Sequence, residues 1–144
     1  MYAIMTSLAQ RTPNAYANAY RQIGVQTDID AASPHRLVAM LFDGFVEAVL
    51  RARAAIEQGQ IEQRGLAIGR ALRIIDEGLK ASLDLKGGGA LATDLADLYE
   101  YIMLRLTHAN LRNDIKALDE CRHLLQPLHD AWTSIAPQVD RPRG

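Results

Sequence analysis

From Ser33-Pro34 onward, apolar residues return every three or four positions in four successive stretches. No run alternates with a period of two over a useful length, so strands are not expected. The stretches are parted by short helix stops: Gly59-Gln60, Gly87-Gly88-Gly89 and Asn113-Asp114. Connections this short leave consecutive helices lying side by side in opposite directions. The pattern therefore predicts an all-α fold, an antiparallel up-down four-helix bundle.

Ser33 can cap free backbone N–H groups, and Pro34 is pre-set for a first helical position. Arg36 stands where a capping box would need an acid, so the serine acts alone. The first helix should run from Pro34 to about Gln58. Leu37, Leu41, Phe45, Ala48, Ala52 and Ile56 form one stripe, and Val38, Phe42, Val46 and Val49 a second. Together they exceed the usual core-facing stripe. Asp43, Glu47, Arg51 and Glu57 mark the wet side, with Glu47 and Arg51 in the favourable order for pairing.

The second helix should span about Ile61 to Lys86, with Ile68, Leu72, Ile75, Leu79 and Leu83 as its seam. Gly65 and Gly69 weaken it by about 1 kcal/mol each relative to alanine, and their spacing suggests close approach of a neighbour. The glycine triplet ends it. The third helix should run from about Leu91 to Leu111. Leu91, Leu95, Leu98, Ile102, Leu106 and Ala109 share one face; Tyr99, Met103 and Asn110 lie beside it; Tyr101, Leu104 and Leu111 form a further apolar set. Asn113-Asp114 should turn the chain and cap the last helix, which carries Ile115, Leu118, Cys121, Leu125, Leu128, Trp132 and Ile135. Pro127 should kink or break it.

Residues 1–32 show no sustained helical period and read as an N-terminal arm, in which a short helix could form. Residues 33–136 read as the bundle domain and 137–144 as a disordered tail. With 144 residues there is enough chain for one real core, burying roughly 70% of the unfolded surface. The formal net charge of −1 offers no field to attract nucleic acid or an anionic membrane. The lone Cys121 excludes an internal disulfide. The first residues lack the basic and apolar regions of a secretory signal, and no apolar run is long enough to span a bilayer, so a soluble cytoplasmic protein is expected.

Catalytic and metal chemistry find little purchase. A carboxylate-bridged metal pair in a bundle needs two Glu-x-x-His elements, and only Glu120-x-x-His123 is present. That pair reads as a surface feature. His108 is the candidate for a histidine phosphotransfer bundle, but Leu111 and Arg112 stand where such domains usually place lysine and a small residue. His35, in a first helical turn where a cation would oppose the dipole, reads as neutral and incidental. The glycine triplet has neither the strand nor the lysine-serine pair of a phosphate loop. No enzyme, no cofactor and no metal are expected.

What remains is surplus apolar surface and an arm that carries Tyr16 and Tyr20 one helical turn apart, so that a short induced helix would place both rings on one side. Such an arm can cover the surplus until another chain displaces it.

Several segments together resemble the flagellin-specific secretion chaperone family, FliS. They are Tyr16 and Tyr20; Ala32-Ser33-Pro34 with Leu37 and Met40-Leu41-Phe42-Asp43-Gly44; Leu98-Tyr99-Glu100-Tyr101-Ile102 leading into Arg105-Leu106; Ala109-Asn110 and Asn113-Asp114; and Asp130-Ala131-Trp132. They stand in the family's order across residues 16–132. Phe42 departs from the tyrosine of many members, and the glycine triplet, Pro127 and the long leader are also departures. The resemblance implies a cytosolic export chaperone that captures the disordered C-terminal segment of flagellin in apolar grooves. It would prevent early polymerisation and deliver the guest to the flagellar type III export apparatus. Implied further partners are an export-gate component, other flagellar regulators and, in the free state, a second copy of the chain. The partner-binding residues it implies are Tyr16 and Tyr20 in the arm, Leu37, Met40, Leu41 and Phe45 on the first helix, and Tyr99, Tyr101 and Asn110 on the third. On this reading Tyr20→Ala or Leu41→Asp weakens guest binding and leaves helix content largely intact. A phosphotransfer protein using His108, or an adaptor for other cytosolic factors, is the alternative.

Overall fold

Ser33 opens the first helix as its side chain dictates: its Oγ accepts the Arg36 N–H at 3.1 Å, and Pro34 occupies the first turn. In this computed structural model, which describes residues 33–83 and 87–135, the helix is α1 (Pro34–Glu57). The arm with Tyr16 and Tyr20, and residues 136–144, lie outside the described residues. The chain turns at Gly59, with φ of +69°, into α2 (Ile61–Arg73). Gly88 then caps α3 (Gly89–Arg112), which starts on the last glycine of the triplet. Asn113 then takes a left-handed conformation, φ 52°, and the Asp114 side chain accepts the Ala117 N–H to begin α4 (Ile115–Ser134). α1 packs beside α2 and α4, and α3 closes the ring between α2 and α4, so α1 and α3 face each other across the diagonal. Among the described residues the fold is all-α, and no helix is long and apolar enough to cross a membrane.

Several local expectations change. α2 does not run on to Lys86 as a regular helix. It passes into a π-helical segment, π1 (Ile74–Lys80), followed by a turn at Ala81-Ser82. Adjacent Ile74 and Ile75 are both 0% exposed at the start of π1. The segment also brings the backbone of Gly78 against α1: a Cβ there would sit 2.9 Å from Leu41 Cδ2 and 3.2 Å from Cδ1. A Cβ at Gly65, by contrast, would meet nothing within 4 Å among the described residues, so the close approach belongs to Gly78 and not to the earlier pair.

A matched pair of variants checks this. Gly65→Ala should stabilise by about 0.5–1 kcal/mol, because it removes only backbone freedom. Gly78→Ala should destabilise by about 1–3 kcal/mol through overpacking against Leu41. Urea denaturation of both variants measures the opposite signs.

The last helix runs unbroken through Pro127. Both Pro127 and His123, whose carbonyl loses its helical partner, lie on the exposed side, where water can satisfy that carbonyl.

The core gathers from all four helices. Trp132, Tyr99, Phe42, Phe45, Leu37, Leu41 and Ile68 are its largest fully buried members. α4 is latched to the start of α1 by a reciprocal pair. His35 Nε2 donates to the Trp132 carbonyl at 2.9 Å, and Trp132 Nε1 donates to the His35 carbonyl at 3.0 Å. Their rings stack with centroids 4.8 Å apart and planes within 5°. His35 is therefore a buried structural residue and not an incidental one. Farther along α1, Phe42 stacks on His129, whose Nε2 meets Asp43 at 3.1 Å. Arg53 adds a two-pronged tie from α1 to both oxygens of Asp119 on α4, each 2.7 Å.

Candidate functional site

The implied partner-binding residues fall into three groups. Leu37, Leu41 and Phe45 are 0% exposed and Tyr99 is 1% exposed, so these four present no surface. Burial alone drives the Tyr99 phenol far above its ordinary pKa. Met40 and Asn110 are half-buried, Met40 packed against the core and Asn110 accepting the Arg64 Nε–H at 2.9 Å. Tyr101 alone among the described members of the set is exposed. Tyr16 and Tyr20 lie outside the described residues.

A different set of apolar side chains does reach water. Leu104 is 69% exposed and Leu111 76%, with Tyr101 on the same side of α3. Ile61 and Leu66 on α2, Leu50 on α1 and Leu91 at the start of α3 are exposed as well. The Tyr101-Leu104-Leu111 spacing carried this signal in the sequence, since it lies away from the Ile102-Leu106 seam.

Polar ties hold this exterior rigid. Tyr101 donates its hydroxyl to Glu120 at 2.6 Å, and Arg105 Nε donates to the other Glu120 oxygen at 2.7 Å. Those two bonds hold the Glu120 carboxyl below its usual range, and the same contact raises the Tyr101 phenol. At the α3–α4 corner the Ala117 N–H, followed by His108, keeps the Asp114 carboxyl low. His108 Nε2 lies 3.1 Å from that same carboxylate, so it serves the helix cap. Glu120 thus belongs to an α3–α4 clamp, while His123 stands exposed. Cys121 is fully buried, donates to the Ile102 carbonyl at 3.6 Å, and has its thiol pushed up to about 12 by burial. A thiol in that state is neither nucleophile nor ligand at neutral pH.

Between α1 and α2 lies a furrow of about 460 Å³. Its bottom is built of the buried alanines Ala48, Ala55 and Ala67, its lip includes Leu66, and Arg51 and Arg70 flank it. A second hollow of about 280 Å³ continues it around the turn, sharing Ala55 and Gln60 and reaching Ile61, Arg64 and Asn113. The small alanine side chains fill little of the space between the two helix surfaces, and a trough open to solvent remains. The furrow eluded sequence reasoning because alanines on a helix look like part of the seam.

The bundle can thus offer apolar knobs on α3 and an alanine-floored trough on α1 and α2. The family model described as "Flagellar protein FliS" matches residues 16–139. The flagellar secretion chaperone FliS of Salmonella typhimurium is 48% identical over 121 residues, covering 84% of this chain and 90% of the relative. The flagellar secretion chaperone FliSB of Pseudomonas aeruginosa is 41% identical over 117 residues, covering 81% and 92%. The FliS of Escherichia coli is 40% identical over 114 residues, covering 79% and 84%.

Proposed function

Because this chain belongs to the FliS family of flagellar secretion chaperones, we propose that it is a cytosolic, non-catalytic export chaperone for flagellin. It binds the disordered C-terminal segment of flagellin, keeps that segment from polymerising, and delivers it to the flagellar type III export apparatus. The observation that carries this reading is the exposed apolar surface on a rigid frame, with Leu104 at 69% and Leu111 at 76% exposure. A guest that folds as it binds spends about 2–5 kcal/mol of its contact energy on ordering. Only wide apolar contact offsets that cost, and amphipathic helical pieces laid on grooves and knobs supply it. Within this reading Tyr101, Met40 and Asn110 lie at or near the contact surface, while Leu37, Leu41, Phe45 and Tyr99 brace it from within. Tyr16 and Tyr20 act as the tethered cover that the guest displaces, and in the free protein a second copy can take the guest's place.

Polymerisation tests it. Purified flagellin seeded with filament fragments should stop elongating when the chain is added at equimolar concentration. Light scattering that rises at the same rate with and without the chain would remove the proposal.

A further inference from the structure

Among the described residues, every charged side chain that lines the furrow is an arginine. Arg51 and Arg70 border the α1–α2 trough, Arg64 borders its continuation, and no aspartate or glutamate lines either. One carboxylate, Glu47, is shared by the two rim arginines: it lies 2.7 Å from Arg51 and 3.9 Å from Arg70. Arg64 spends its donors on the side-chain oxygens of Asn110 and Asn113, which hold it in place without cancelling its charge. Arg70 Nε is buried and has no hydrogen-bond partner among the described residues, so Arg70 reaches a guest through its terminal nitrogens. Three guanidiniums thus stand around an apolar floor with one carboxylate between two of them.

From this we propose that the furrow seats an amphipathic helix of the guest whose flanks carry aspartate or glutamate. The identity of the guest rests on the chaperone reading; the charge preference rests on the furrow itself. The alanine floor lets the guest approach closely, with small or medium apolar side chains inserted along one face. Carboxylates on one flank meet Arg51 on α1, and those on the other meet Arg70 on α2. Arginine suits this task because its planar fork pairs with a carboxylate through two bonds. Partly exposed pairs of this kind set partner choice and salt dependence more than total affinity. An acidic guest is selected and a basic one is turned away.

Two synthetic helical peptides serve as probes: one with an alanine-leucine seam and glutamates on both flanks, and its counterpart with lysine at every glutamate. Each is titrated into the full-length protein and followed by amide NMR shifts. The glutamate peptide should bind with shifts concentrated in α1 and α2 around Ala48, Ala55 and Ala67. It should bind about tenfold more weakly to the double variant Arg51→Glu, Arg70→Glu, and the lysine peptide about tenfold more weakly to the wild type. Ala54→Trp, at an exposed position on the furrow wall, should block the glutamate peptide while the thermal melt stays unchanged. Equal binding of the two peptides, or shifts confined elsewhere, overturns the inference. A flagellin C-terminal segment is titrated alongside. If it binds the wild type and both furrow variants equally while the peptides fail, the furrow inference falls and the chaperone reading stands. If it does not bind the wild type at all, the chaperone reading falls, and the glutamate–lysine comparison still decides the furrow.

Discussion

Leu41→Asp should unfold the bundle at room temperature, in place of the intact helix content that the sequence alone suggested. Leu41 is 0% exposed and lies directly beneath Gly78 of π1. Losing a buried leucine side chain costs about 2–5 kcal/mol on its own. The aspartate adds a carboxyl group in a site walled by apolar side chains, where an unpaired charge is several kcal/mol more unfavourable. Against a domain stability of about 5–15 kcal/mol, the sum removes most or all of the folded state. Far-UV circular dichroism of the purified variant should show helix signal well below wild type. A native spectrum with a cooperative melt would mean that the π1–α1 contact is loose enough to admit water.

Trp132→Ala should be the next most damaging change. Trp132 is the largest fully buried side chain, and it joins the end of α4 to the start of α1 through stacking and a pair of reciprocal hydrogen bonds. Truncation leaves a cavity and removes the Nε1 bond to the His35 carbonyl. The expected loss is about 3–5 kcal/mol, or a fall in Tm of roughly 10 °C or more. Trp132→Phe separates the two contributions: it keeps most of the packing and loses the Nε1 bond, at about 1–3 kcal/mol. If Trp132→Phe melted with the wild type, the hydrogen bond would contribute nothing and packing alone would hold the latch. If Trp132→Ala also melted with the wild type, the α1–α4 latch would not secure the fold.

Much of the architecture was legible because its signals are local. Ser33-Pro34 and Asn113-Asp114 start helices through side-chain chemistry that needs no knowledge of the rest of the chain. The Glu47–Arg51 pair follows from i, i+4 geometry and is present at 2.7 Å. What was not legible depends on neighbours. Period alone says that Leu37, Leu41 and Phe45 are apolar and share a face, but not that other helices close over them. The π-helical turns of π1 bring the backbone of Gly78 against α1, and a fixed 3.6-residue count cannot see them. Gly65 and Gly78 look alike in sequence; only tertiary contact shows that one faces open space and the other a leucine methyl. His35 and Trp132 are 97 positions apart, so their latch has no sequence signature.

The same division bears on the functional surface. The Tyr101-Leu104-Leu111 set was visible as a second apolar period on α3, and it is this set that stands in water. The arginine-rimmed furrow was not visible, since it arises from the meeting of α1 and α2 and not from either helix alone.

Calorimetric titration of a flagellin C-terminal segment into the wild type and into the double variant Leu104→Asp, Leu111→Asp tests the central claim most directly. Both positions are exposed, so the variant should melt as the wild type does. The account predicts saturable binding to the wild type, with the negative heat-capacity change of apolar burial, and affinity at least about tenfold weaker for the variant. Absence of binding to the wild type, or equal affinity for both proteins, would contradict it.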